Sequence, residues 1–206
     1  MSLYQTEQRQ AKTTRILVYP NITFAKDLEK DSYIQVIKKQ ITLLNEIRDD
    51  LWFYLILPKE VPSLVFDNVT QLIVYLPTHS PTMRAHFDTE AIKKVLPREY
   101  DFDLVMCHLP EHAYDLKNVL YNKTQHMPKF FGYAHWFDFK EVVNWPMDSF
   151  NKSMIGLLEY DKCYINTQHQ KEMVLKQAEE IFNSDTLYKL SNILEVQHIG
   201  VDSKDI

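Results

Sequence analysis

Short unbroken apolar runs alternate with helix-period segments along nearly the whole chain, and this alternation leaves few folds open. RILVYP (15–20), LWFYLIL (51–57), VTQLIVYL (69–76), DFDLVMCHL (101–109), KFFGYAHWF (129–137), KCYINT (162–167) and ILEVQHI (193–199) are strand-length and rich in β-branched and aromatic residues. Runs that are apolar at successive positions, rather than at alternate ones, are expected of strands buried on both faces. Between them lie segments of helical period. In 27–50, Tyr33, Ile34, Ile37, Ile41, Leu44 and Ile47 recur at helical spacing with lysines and acids opposite. Further helices are expected over roughly 84–96, 113–124, 149–160 and 169–182. Connections of helix length join parallel neighbours by right-handed crossovers. The expected fold is therefore α/β: a Rossmann-like, doubly wound, mostly parallel sheet of about seven strands with helices on both faces.

Composition narrows the class further. The 206 residues are 45% hydrophobic, enough for one substantial core, and the net charge of −5 is dispersed. No basic block suggests a nucleic-acid patch, and no apolar run reaches membrane-span length. The first residues, MSLYQTEQRQAKTTR, are polar and read as a flexible arm (1–14) without a secretory signal, so a cytoplasmic location is expected. Cys107 and Cys163 both fall inside apolar runs and are expected to be buried, reduced thiols.

In an open parallel sheet, ligands collect beyond the carboxyl ends of the strands. Those positions carry His108 to His112, His135 to Phe139 and Asn166 to His169, with Asn21 to Phe24 and Thr78 to Thr82 beside them. His135 stands out, because Trp136, Phe137 and Phe139 surround it and Gly132 lets backbone approach nearby. Aromatics around a polar group suit the CH-rich face of a sugar, and they equally suit core packing. HLPEH (108–112) has the string of an inverted zinc-peptidase motif. Pro110, however, belongs in a first helical turn and pushes Leu109 out of helical geometry, leaving His108 at a strand end. No third ligand is evident, so no metal is expected. There is no Gly-x-Ser-x-Gly elbow, and with three glycines in all there is no phosphate-cradling loop. Asp88, Glu111, Asp138 and Glu141 are carboxyl groups near strand ends, none distinguished as a general base.

The order of RILVYP, DLVMCHLP, GYAHWFDF, KCYINTQHQKEMVLKQ and VQHIGVD resembles the N-terminal, acceptor-side domain of the GT-B glycosyltransferases. The closest likeness is to the retaining family that transfers hexoses from nucleotide sugars. The resemblance spans 15–202. It implies that His135 lies beside the reacting sugar, that Asn166, Thr167 and Gln168 stand where that family has a Ser-containing segment, and that Ile199-Gly200-Val201-Asp202 opens a hinge, with 203–206 leading to a donor-binding domain beyond this sequence. It also implies substrate contacts from His108, Glu111, Trp136 and Asp138, and from Asn21, Ile22 and Thr23 in the loop after the first strand. That loop departs from the family by lacking glycine. Glu172 and Glu180 have the spacing of the family's acidic pair but lie about 80° apart on an ideal helix and are expected to be solvated. The implied function is half of a hexosyltransferase acting on an unknown acceptor, needing no cofactor beyond the nucleotide-sugar donor and inactive without the donor-binding domain. The reading from another class is a non-catalytic Rossmann-like module that binds a sugar, a nucleotide or a protein.

Overall fold

The computed structural model of the chain describes residues 13–20, 32–58, 67–74, 87–97, 101–121, 127–135, 137 and 148–198. Its strands are β1 (Thr14–Tyr19), β2 (Leu51–Pro58), β3 (Val69–Val74), β4 (Leu104–Cys107), β5 (Lys129–Ala134), β6 (Lys162–Ile165) and β7 (Leu194–Val196). The helices are α1 (Ser32–Ile47), α2 (Thr89–Val95), α3 (Pro110–Tyr121), α4 (Asp148–Leu157), α5 (Gln168–Ala178) and α6 (Ser184–Ile193). All seven strands form one sheet in the order β3-β2-β1-β4-β5-β6-β7, every neighbouring pair parallel. The expected α/β, Rossmann-like, doubly wound fold is what the chain adopts.

Strand composition explains the sheet's depth in the core. Ile16, Leu17 and Val18 of β1 and Phe53, Leu55, Ile56 and Leu57 of β2 are buried at successive positions, so both faces of these strands are covered. Right-handed crossovers put α1 on one face and α2, α3 and α4 on the other, and α3 packs along α4 and against α2. Helix α1 buries Ile34, Ile37 and Ile41 as its spacing predicts. Ile47, the last residue of the helix and of the same apolar series, is 77% exposed.

Acidic residues start two of the strands. Asp103 Oδ2 accepts the Arg15 amide of β1 at 2.9 Å, and Asp161 Oδ2 accepts the Phe130 amide of β5 at 2.8 Å. Each satisfies a backbone donor at the amino edge of the sheet that the strand ladder leaves over. Asp161→Ala is expected to lower the unfolding free energy by about 1–2 kcal/mol, as for a buried donor losing its acceptor, while Asp161→Asn keeps the acceptor and most of the stability. Urea titration of the two variants separates the hydrogen bond from the exposed Lys129–Asp161 ion pair.

Helix α6 was not expected from its sequence, SDTLYKLSNI. It forms because the Asn183 side chain caps it by accepting the Thr186 amide at 3.0 Å, and because Leu190 and Ile193 bury themselves in the core. Both cysteines are buried and unpaired with each other, as expected. Of the expected 1–14 arm, residues 1–12 lie outside the described residues and Thr14 already belongs to β1, and the turn at 199–202 with the 203–206 hinge also lies outside them.

Candidate functional site

Strand order locates the crevice. The chain runs from β1 outward to β2 and β3, then returns to β4 beside β1 and proceeds the opposite way through β5, β6 and β7. The carboxyl ends of β1 and β4 are thus the topological switch point, where flanking connections part and leave room for a ligand. His108 directly follows β4, and its backbone amide donates to the Tyr19 carbonyl at the end of β1 at 2.9 Å. His135 directly follows β5. Their imidazole rings stack at 6.0 Å between centroids with planes 24° apart.

The two rings differ in environment. His135 is half-buried and meets Tyr33, in the first turn of α1, edge-on at 4.7 Å, and Tyr133 at 4.7 Å. His108 is 2% exposed, and neither ring nitrogen has a hydrogen-bond partner. Burial, with a smaller contribution from His135, pushes its pKa down to about 3, so the ring is neutral near neutral pH. An open cleft lined by His108 was expected. The ring is instead enclosed, with the His135 ring stacked against it.

The HLPEH string divides between two elements. Pro110 is the first residue of α3, so His108 lies off the helix and His112 on it. His112 Nδ1 is hydrogen-bonded to the Tyr19 hydroxyl at 3.0 Å, and the His112 ring also meets Phe87 edge-on at 5.4 Å. Burial raises the Tyr19 phenol well above its ordinary pKa, so it remains protonated. Glu111, in the first turn of α3, is 6% exposed. Among the described residues no group of three or more His, Cys, Asp or Glu side chains is placed to hold a metal.

Asn166 braces the His135 end of the site. Its Oδ1 lies 2.6 Å from the Tyr133 hydroxyl, and its Nδ2 donates to the His135 carbonyl at 3.4 Å. The Tyr133 hydroxyl also lies 2.8 Å from the Gln197 carbonyl, so β5, β6 and β7 are tied together at their carboxyl ends. Thr167 is the N-cap of α5: its Oγ accepts the Gln170 amide at 3.0 Å, while Gln170 Oε1 accepts the Asn166 amide at 3.1 Å. That capping role accounts for Thr167. Glu172 and Glu180 are exposed, as expected.

The structure thus brings together His108 and His135, ties Asn166 to the His135 backbone, and puts Glu111 in the first turn of α3, three residues after His108. Asn21, Ile22, Thr23, Trp136 and Asp138 lie outside the described residues. Tyr33 and Tyr133 were missed as site residues. Tyr33 is the first member of the apolar series of α1 and reads as core, and Tyr133 is an interior position of an apolar strand. Phe137, expected among the platform aromatics, is 1% exposed and belongs to the core.

Neither thiol can act as a ready nucleophile. Burial pushes Cys107 up to about 12 and raises Cys163 further. Compared with known proteins, the chain matches no family model, and no curated sequence is significantly similar to it.

Proposed function

We propose that the chain is the acceptor-side half of a glycosyltransferase that moves a hexose from a nucleotide sugar to an acceptor, with His135 beside the reacting sugar. One observation carries the reading: a part-exposed imidazole, braced by Asn166 and faced by Tyr33, lies at the carboxyl edge of a seven-stranded parallel sheet, next to its switch point. A ring so placed is flanked by aromatic surface that suits a sugar face, while its Nε2 is shielded from solvent. None of the described residues directly following β1, β4, β5 or β6 is a glycine, lysine or arginine, so these residues offer a donor's phosphates no cradle. The nucleotide end of the donor is assigned to a second domain for that reason, and with it the partner this half would need.

The 206-residue chain alone is accordingly expected to release no nucleotide from a panel of UDP- and GDP-sugars above the buffer rate. It is expected to bind simple methyl glycosides weakly, in the millimolar range, with the His135 imidazole resonances moving on titration. His135→Ala should weaken that binding about tenfold, equivalent to about 1.4 kcal/mol. Turnover by the isolated chain would show the division into halves to be wrong. Glycoside binding that ignores His135 would favour the non-catalytic module over the transferase.

A further inference from the structure

His108 is the least explained group in the molecule. A buried imidazole that makes no hydrogen bond is destabilising, since its donor and its acceptor have both been taken from water without replacement. Buried polar groups are almost always paired, and one that makes no bond within the chain leaves its donor and acceptor to a water or a ligand. The position is not peripheral. The ring sits at the junction of β1 and β4, stacked on His135, in the crevice where this sheet topology collects ligands.

We propose that His108 is a binding post for an uncharged, hydroxyl-bearing part of the ligand, the sugar ring itself rather than a phosphate or carboxylate. This deepens the glycosyltransferase reading and rests on it. The choice of chemistry follows from the donor and acceptor inventory. A neutral imidazole presents one N–H and one lone pair, and a sugar hydroxyl, which both donates and accepts, can satisfy either nitrogen. A carboxylate or a fully ionised phosphate only accepts, so it can meet the N–H alone, and binding it at the lone-pair nitrogen would require the ring to be charged in an enclosed site.

The surroundings agree. The amino end of α3, which begins two residues after His108, already carries the acidic Glu111 in its first turn. An acidic side chain there offsets the positive end of the helix dipole that would otherwise draw a phosphate. No lysine or arginine stands among the described residues at the ends of β1, β4, β5 and β6. Because both His108 nitrogens are shielded from solvent, a hydroxyl reaches them by displacing the part-exposed His135 ring. The Tyr33 and Tyr133 ring contacts on His135 are each of a kind worth about twice thermal energy, which binding of the hydroxyl has to offset.

The test is imidazole 15N NMR of the whole chain, with His108 assigned by the signal lost in His108→Leu. Methyl glucoside, methyl galactoside and methyl mannoside are titrated in parallel with inorganic phosphate and UDP. At least one glycoside is expected to move the His108 nitrogens while they keep the pattern of a neutral ring, and phosphate is expected to leave them unmoved. His108→Leu should bind that glycoside at least tenfold more weakly with no fall in its melting temperature, and His108→Gln, whose amide also donates and accepts, should recover part of the loss. Phosphate converting His108 to the imidazolium pattern would overturn the proposal, as would undiminished glycoside binding by His108→Leu. If His135→Ala loses glycoside binding and His108→Leu does not, this proposal fails while the transferase reading stands. If no glycoside perturbs either ring, both fail.

Discussion

Gly132→Ala and Gly156→Ala are each expected to destabilise the fold by about 3 kcal/mol or more, at or beyond the upper end for overpacking a rigid core. A Cβ on Gly156 would lie 1.8 Å from the Pro110 carbonyl oxygen, and one on Gly132 would lie 2.1 Å from the Cys107 carbonyl oxygen and 2.4 Å from the Tyr160 ring. Backbone is the obstacle in both cases, so no flexible side chain can swing aside. Neither glycine has a positive φ; what each supplies is space. At Gly156 the space lets α4 press against the first turn of α3. At Gly132 it lets the Tyr160 ring lie across β5, where its hydroxyl donates to the Cys107 carbonyl at 3.0 Å. Each substitution therefore forces two elements apart rather than filling a void. Urea unfolding of the two variants measures the effect, and a loss below about 1 kcal/mol in either would mean that the helix or strand can shift without strain.

Acid should weaken the protein through His108 across a defined window. In the unfolded chain this group titrates near its ordinary value of about 6.5, and in the fold burial holds it down to about 3. Below the first value the unfolded chain takes up a proton that the native ring refuses, so stability is complete above about pH 6.5 and falls as pH drops toward 3. The slope is about 1.4 kcal/mol per pH unit, or about 3 kcal/mol by pH 4.5. Other groups titrate in the same range, so the quantity to measure is the difference between the wild type and His108→Leu. That difference should grow by the stated slope between pH 6 and pH 4. At pH 7 the leucine variant should already be more stable by about 1–3 kcal/mol, because an unpaired buried polar group has been removed. Parallel pH profiles for the two proteins would show that the ring is protonated or solvated in the native state.

The opposed effects of these substitutions bear on the site. A leucine at 108 is expected to stabilise the fold and an alanine at 132 to disrupt it, although one position directly follows β4 and the other lies in the neighbouring strand β5. Gly132 reads from the sequence as a place where backbone can approach a ligand. In the structure the approach is made by the Cys107 carbonyl and Tyr160, so that glycine serves packing. His108 reads as one of several histidines in loops at strand ends, and it proves to be the enclosed one. Thr167 reads as a site residue because of its position after β6, yet its hydroxyl is taken up in capping α5.

Period and length made most of the elements legible. Continuous apolar runs marked β1, β2, β4, β5 and β6 because a strand covered on both faces needs apolar residues at every position. Pro110 marked the start of α3 because its fixed φ and missing amide suit a first turn. These are local properties, carried by residues a few positions apart. Helix α6 escaped because its signal is long-range: three apolar positions in a polar decapeptide are too few to mark a helix until β6, β7 and α5 provide something to pack against. The same distinction holds at the site. From sequence alone it follows that His108 and His135 end strands of a parallel sheet and share its carboxyl edge. Only the tertiary structure decided that β4 returns to lie beside β1, that β5 then brings His135 over His108, and that one imidazole is shut away from water while the other keeps an exposed face. Strand order and burial arise from pairings between segments tens of residues apart, and no periodicity within a segment records its neighbour.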